Sequence, residues 1–411
     1  MNSKLVNILV FLLIYISNDT ILFGTNSNSI MICIQYIFIF SVALFLTIKT
    51  FKKRKKIRER NLNIFFLIIT FTLITFGLNY KFNAKYIYEI CLVYIAILFS
   101  ENVRFKEFKN AFINSMYFFS AYSLVTYCIF NTFKGIINFC PKVINIANYY
   151  FGNVIFTCVP ANENFSFLYR NFGIFREPGF FSCMILLSVI FLLYSKEKNE
   201  SLKVFIKIAV FCLTILTTYS TAGIFCLLLI LSFYLFLNKK MDLKKIILII
   251  VFIVFLGFIF SSNSFSGRVF GKLKVKNASL NNRINSITAN LIIAIKHPFF
   301  GVGWEDIKSE FSEVSYKLNG SPLNEEKSFH NTNTFLKFFA VHGIILFGIY
   351  LYGVYNSIYK ICNQKLISIL IFGVIILMFS NEDLTINIVY HLLMIYGYEN
   401  SLIGLNKKNE V

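Results

Sequence analysis

Apolar residues fill this chain in long runs separated by short polar connections. Runs long enough, or nearly so, to cross about 30 Å of hydrocarbon as helices lie at 5–23, 30–48, 64–78, 86–99, 112–130 and 178–194. They continue at 204–219, 224–237, 246–260, 335–355, 366–379 and 386–402. The pattern predicts an all-α, polytopic integral membrane protein with about twelve transmembrane helices, built as a single transmembrane domain over residues 1–411. The first run follows Lys4 as in a signal peptide, but no small-residue cleavage site follows it, so it is read as a retained helix.

Composition agrees with this reading. Hydrophobic residues make up 57% of the chain and charged residues 15%, against about 25% charged in soluble domains. The net charge of +20 raises the question of nucleic acid. The basic residues, however, sit between apolar runs, where membrane topology accounts for them, and no nucleic-acid partner is expected. The connection 49–60 carries Lys49, Lys52, Lys53, Arg54, Lys55, Lys56, Arg58 and Arg60. By the positive-inside rule it faces the cytoplasm, and loops of the same parity repeat the bias, which places both termini inside.

Two long polar segments then lie outside, at about 131–177 and 261–334. Within the second, Leu280, Ile284, Ile287, Leu291 and Ile295 recur at helical spacing after a possible Ser279 cap and before Pro298, which predicts an amphipathic helix with Arg283 in its first turn. The turn after Pro298 reads as tight and aromatic-flanked. Nine cysteines show no metal spacing. Most lie in apolar runs, while Cys140 and Cys158 share a polar segment, which leaves a disulfide between them open.

No HExxH, Walker loop, GxGxxG or paired acidic metal motif is present, so no metal or cofactor is called for. Acidic residues are scarce in the spans, Glu89 being the clearest, which disfavours an ion-coupled carrier. Four features remain. Arg170 and Arg176 precede Glu177, Pro178 and Gly179 at a helix start; this is either a cap with interfacial arginines or a diphosphate clamp of forked cations. Arg268 and Arg283 in the large loop either steer headgroups or complete that clamp. His330, before Asn331, Thr332 and Asn333, is either structural or a base of near-neutral pKa. Ser220-Thr221-Ala222-Gly223 reads as a tight helical hairpin. His297 reads as a helix end, and His342 and His391 as core residues.

In this order these strings resemble the O-antigen polymerase (Wzy-type) and O-antigen ligase superfamily. The matching segments are 173–179, 220–223, 294–303 and 330–333, followed by His342-Gly343-Ile344. The resemblance implies a metal-independent, lipid-dependent glycosyltransferase of GT-C type in the bacterial cytoplasmic membrane. Its donor and acceptor are polyprenyl-diphosphate-linked oligosaccharides, and its partners are membrane lipid, a chain-length regulator and a flippase. Arg176, Arg268 and Arg283 are then the diphosphate ligands, joined by Arg170 from the reading of the residues above, and His330 or Glu177 is the base. The Arg-Glu-Pro-Gly string favours a polymerase of O-antigen or capsular units; the alternatives are a ligase acting on lipid A core and, from another class, a lipid-linked oligosaccharide flippase.

Overall fold

A computed structural model describes residues 1–53, 57–79, 83–146, 148–161, 170–195, 201–237, 278–319 and 331–399. These hold thirteen α-helices: α1 (Ser3–Tyr15), α2 (Ser29–Lys52), α3 (Glu59–Asn79), α4 (Ala84–Asn102), α5 (Phe105–Thr132), α6 (Pro178–Tyr194) and α7 (Ser201–Thr218). There follow α8 (Thr221–Leu237), α9 (Ala278–Lys296), α10 (Gly303–Asn319), α11 (Thr334–Cys362), α12 (Lys365–Ser380) and α13 (Ile388–Tyr398). Among them α2, α3 and α11 are long and apolar enough to cross a bilayer singly, α4 and α5 join at a 114° bend, and α1, α6, α8, α12 and α13 are shorter apolar helices. The count of about twelve spans is therefore not reached by helix length, and the run 246–260 lies outside the described residues. Helix α6 is apolar all round, and every residue in it except Gly179 is buried. It is a central helix sheathed by protein, as such a sequence requires.

The expected run 5–23 stops early. Helix α1 ends at Tyr15 and the chain from 16 to 28 forms turns and bridges. Ser17, Asn18, Asp19 and Thr20 offer the backbone side-chain partners that compete with a helix; the Thr20 hydroxyl donates to the Ser17 carbonyl at 2.9 Å, and Thr20 bridges Phe175.

The fold is also not purely helical. Segment 131–177 contains a 3-10 turn (Lys134–Phe139) and a three-stranded antiparallel sheet of β1 (Lys142–Ile144), β2 (Tyr150–Asn153) and β3 (Cys158–Pro160) in sequential order. Short aromatic and β-branched runs between polar turns are the cause. Cys140 and Cys158 are both free thiols here.

The helix ends sort into two poles. At one, Arg58 pairs with Glu101 at 3.3 Å and with Glu399 at 3.1 Å, the Asn102 amide donates to Thr50 at 2.7 Å, and Lys360 donates to the last carbonyls of α13. These groups mark the ends of α2, α4, α11 and α13 and the start of α3. The opposite pole gathers the loop after α1, the starts of α6, α8, α11 and α13, and the ends of α7 and α12.

Helix α11 is interrupted at Gly343, whose φ of 78° and ψ of 177° leave the helical region. The segment after α9 fills the break: Ile344 N–H donates to the Pro298 carbonyl at 2.7 Å and Val302 N–H to Ala340 at 2.9 Å. A Cβ on Gly343 would overlap the Phe299 carbonyl, and one on Gly301 (φ 66°) would overlap the Val341 backbone. Gly343→Ala is accordingly expected to destabilise the protein by more than about 1 kcal/mol, read as a lower melting temperature in detergent; an unchanged melt would mean the break is not needed.

Candidate functional site

The site is built at the second pole by three loops remote in sequence. The first, 170–177, leads into α6 and is held on all sides. The Asn171 amide donates to Ser123 and to Thr217, each at 3.1 Å, and its carbonyl accepts from Gly173 N–H at 3.0 Å. Gly173 has a φ of 56° and lies so close to Phe181 that a side chain would strike the ring. Fixing this loop fixes Arg170 and Arg176.

Arg176 is gripped by its surroundings. Its N–H donates to the Asp19 carbonyl at 2.9 Å, its Nε pairs with Asp19 Oδ1 at 3.2 Å, one terminal nitrogen donates to the Asp383 carbonyl at 3.0 Å, and its head lies 5.5 Å from the centre of the Phe180 ring. Burial opposes its charge, but Asp19, Glu177 and Asp383 outweigh that and raise its pKa. The side chain is 26% exposed, and its second terminal nitrogen takes no partner among the described residues. Arg170 donates through Nε to the Thr218 carbonyl at 3.0 Å. Burial lowers its pKa to about 10, against Glu177 and Glu382 and together with Arg283. Arg283, in α9, is thereby placed within electrostatic reach of Arg170 and Glu382.

Glu177 is the N-cap residue of α6, yet its side chain makes no capping hydrogen bond, so the simple cap reading fails. Its charge is felt by Arg170, Arg176 and Glu382 instead. The segment 331–334, entering α11, and Arg283 complete the expected set as far as it is described. Arg268 and His330 lie outside the described residues.

The third loop, Asn381-Glu382-Asp383, joins α12 to α13 and was not singled out by the sequence. Asp383 pairs with Lys337 at 2.5 Å and accepts from the Thr385 hydroxyl at 2.6 Å. Burial would raise its pKa, but Lys337 and Arg176 prevail and hold it at about 2. Asp19 accepts from the Asn387 amide at 2.6 Å, and burial pushes its pKa to about 6 against Arg176. Glu382 is 2% exposed, and its carboxyl takes no hydrogen bond or ion pair from the described residues. Burial first, then Glu177, push it up to about 8.

The Glu382 carboxyl lies against Gly179 so closely that any side chain there would overlap it; the glycine of the Arg-Glu-Pro-Gly string is where this approach happens. Beside it lies a narrow opening lined by Gly179, Ser220, Ala222, Gly223, Asn381 and Glu382. Two helix N-termini, of α6 and α8, border it. The Ser220–Gly223 hairpin does serve close packing, since a Cβ on Gly223 would strike Ser182 at 2.7 Å, but it also walls the cleft.

Other expected positions proved structural. Glu89 is spent on Trp304, whose indole donates to it at 2.8 Å, and on His342, 3.1 Å away. His391 meets the Tyr350 hydroxyl at 2.8 Å. His297 follows the last turn of α9. The amphipathic helix is present as α9, with Ser279 inside it rather than at its cap. Helix α10 was missed, although Trp304, Ile307 and Phe311, all buried, carry its spacing.

An all-round apolar central helix and three helices long and apolar enough to cross a bilayer are the features of a membrane protein. Residues 206–351, from within α7 to within α11, match the family model Wzy_C, O-antigen ligase. This bears out the resemblance to the O-antigen polymerase and ligase superfamily and supports a function of that type. No curated protein matches the chain. The matched stretch contains Arg283 and the Ser220–Gly223 hairpin; Arg170, Arg176, Glu177 and Glu382 come to the same pole from outside it.

Proposed function

We propose that the protein polymerises polyprenyl-diphosphate-linked oligosaccharide repeat units of O-antigen or capsule at the outer face of the bacterial cytoplasmic membrane. The observation that carries this reading is the gathering of Arg170, Arg176 and Arg283 within electrostatic reach of Glu382, beside the N-termini of α6 and α8, an arrangement suited to a diphosphate. The opposite pole, with Lys49, Lys52, Arg58 and Lys360, is then cytoplasmic, and both termini with it. The Arg176-Glu177-Pro178-Gly179 string favours polymerase; the family matched by 206–351 keeps ligase as the second reading.

In the reaction a hydroxyl oxygen of the acceptor unit bonds to C1 of the donor sugar. The C1–oxygen bond to the diphosphate breaks, and its electron pair leaves with the phosphate. The hydroxyl proton passes to His330, with Glu177 as the alternative acceptor. The arginines stabilise charge growing on the departing diphosphate. Glu382, whose pKa burial raises, donates a hydrogen bond in its protonated form to a phosphate oxygen, where a carboxylate would repel it.

Purified full-length protein given polyprenyl-diphosphate oligosaccharide as sole substrate should lengthen the glycan. Product formed only after a second acceptor is added would make the protein a ligase, and no transfer under either condition would remove both readings.

A further inference from the structure

Helix α9 packs one face on α11, and that face buries Ala289, Ile293 and Ala294, whereas Ile284, Ile287, Leu291 and Ile295 of the apolar stripe read from the sequence are exposed. Two polar residues, Ser286 and Asn290, sit one turn apart in the same face and are completely buried. Apolar side chains would pack there without the desolvation that a buried hydroxyl and amide incur. Their partners explain them. The Asn331 amide oxygen accepts from the Asn290 amide at 2.6 Å and from the Ser286 hydroxyl at 3.1 Å. The Asn331 amide nitrogen donates back to Asn290 at 2.9 Å, and Thr332 N–H donates to the Ser286 oxygen at 3.1 Å.

The next residues of the same segment face elsewhere. Asn333 caps α11, accepting from Leu336 N–H at 2.8 Å. Thr334 donates its hydroxyl to the Glu382 carbonyl at 2.5 Å and accepts from Leu384 N–H at 2.9 Å. Four consecutive residues therefore tie α9 on one side to the Glu382–Asp383 loop on the other. Arg283 lies three residues before Ser286, on the adjoining turn of α9, and Arg176 is bound to the Asp383 carbonyl. A shift of α9 along this joint would move Arg283 relative to Glu382 and Arg176.

We infer that Ser286, Asn290 and Asn331 form a positioning latch that sets Arg283 in register with the Glu382 cleft for glycan transfer. None of the three touches substrate; they act through Arg283. The inference rests on the proposed transfer reaction, and the experiment separates the two.

The test uses the full-length protein in lipid nanodiscs with polyprenyl-diphosphate oligosaccharide as substrate. Ser286→Ala removes one donor and one acceptor while leaving Asn290 and Asn331 paired, so the protein should stay folded, melting at most a few degrees lower because Thr332 N–H loses its partner. Its kcat should fall by up to about 100-fold, the loss that a misplacement of about 1 Å can cause, with KM within about twofold. Ser286→Thr, which keeps the hydroxyl, should restore the rate. Ser286→Ala combined with Asn331→Ala should be no worse than the poorer single variant, because both break one joint. Unchanged kcat in Ser286→Ala beside an active wild type overturns the latch alone. A larger fall in melting temperature with loss of rate in proportion to folded protein, not rescued by threonine, assigns the residues a purely structural role and also overturns it. A wild type that transfers nothing overturns the transfer reaction and the latch together.

Discussion

Arg176→Ala should reduce glycan transfer by about 100- to 1,000-fold, the loss typical of removing one group that stabilises charge in the transition state. The same change strips Asp19 of its ion-pair partner and leaves the Asp383 carbonyl without the guanidinium donor, so folding must be measured beside activity. Arg176→Lys separates the two effects. A lysine supplies the charge to Asp19 but not the fork that meets two oxygens at once, so the protein should melt near wild type and still lose most of its activity. If lysine restores full transfer, Arg176 acts only as a counter-charge to Asp19 and the phosphate-binding role is wrong.

The pH dependence of transfer is the second large effect. An ordinary histidine titrates near about 6.5, so activity should rise with pH as His330 loses its proton. It should then fall as Glu382 loses its own at about 8, giving a bell. Glu382→Gln keeps a hydrogen-bond donor and cannot ionise, so it should stay active and lose the basic limb, whereas Glu382→Ala should be about 100-fold slower. An inactive glutamine variant would instead make Glu382 the proton acceptor. Stability should carry the same signature. Between pH 4.5 and about 8 the folded protein holds a proton on Glu382 that the unfolded chain has released, so stability falls as pH rises through that window. Glu382→Gln should remove this fall, raising the melting temperature at pH 8 to 9 by on the order of a few degrees. Asp383 works in the other sense: held at about 2 against 3.8, it supports the fold above pH 3.8 and ceases to as pH drops through 2.

The parts of the site that the sequence disclosed are those written in one continuous stretch. Pro178 at the first turn of α6 and the arginines before it announce a charged helix entrance, and the spacing of Ile284, Ile287, Leu291 and Ile295 announces α9. What it hid depends on contacts between distant segments. Asp19 and Asn387 are hydrogen-bonded across 368 positions, and Asp19 lay in what read as the end of an apolar span. Glu382 and Asp383 read as a plain connection between spans; that two adjacent carboxylates sat beside apolar helices was itself a signal, since such groups are expensive there and mark function. The reason for Gly179 was invisible without knowing that a carboxyl from the α12–α13 loop rests on it. The Gly343 break was similarly masked, because an apolar run interrupted by one glycine reads as a continuous helix.

The central claim is that the cations of this pole bind a lipid diphosphate, and equilibrium binding measures it most directly. Undecaprenyl diphosphate and undecaprenyl monophosphate would each be titrated against purified protein in nanodiscs. The account predicts that the diphosphate binds at least about tenfold more tightly, and that Arg170→Ala combined with Arg176→Ala removes the preference. Equal affinity of the wild type for the two lipids would contradict it.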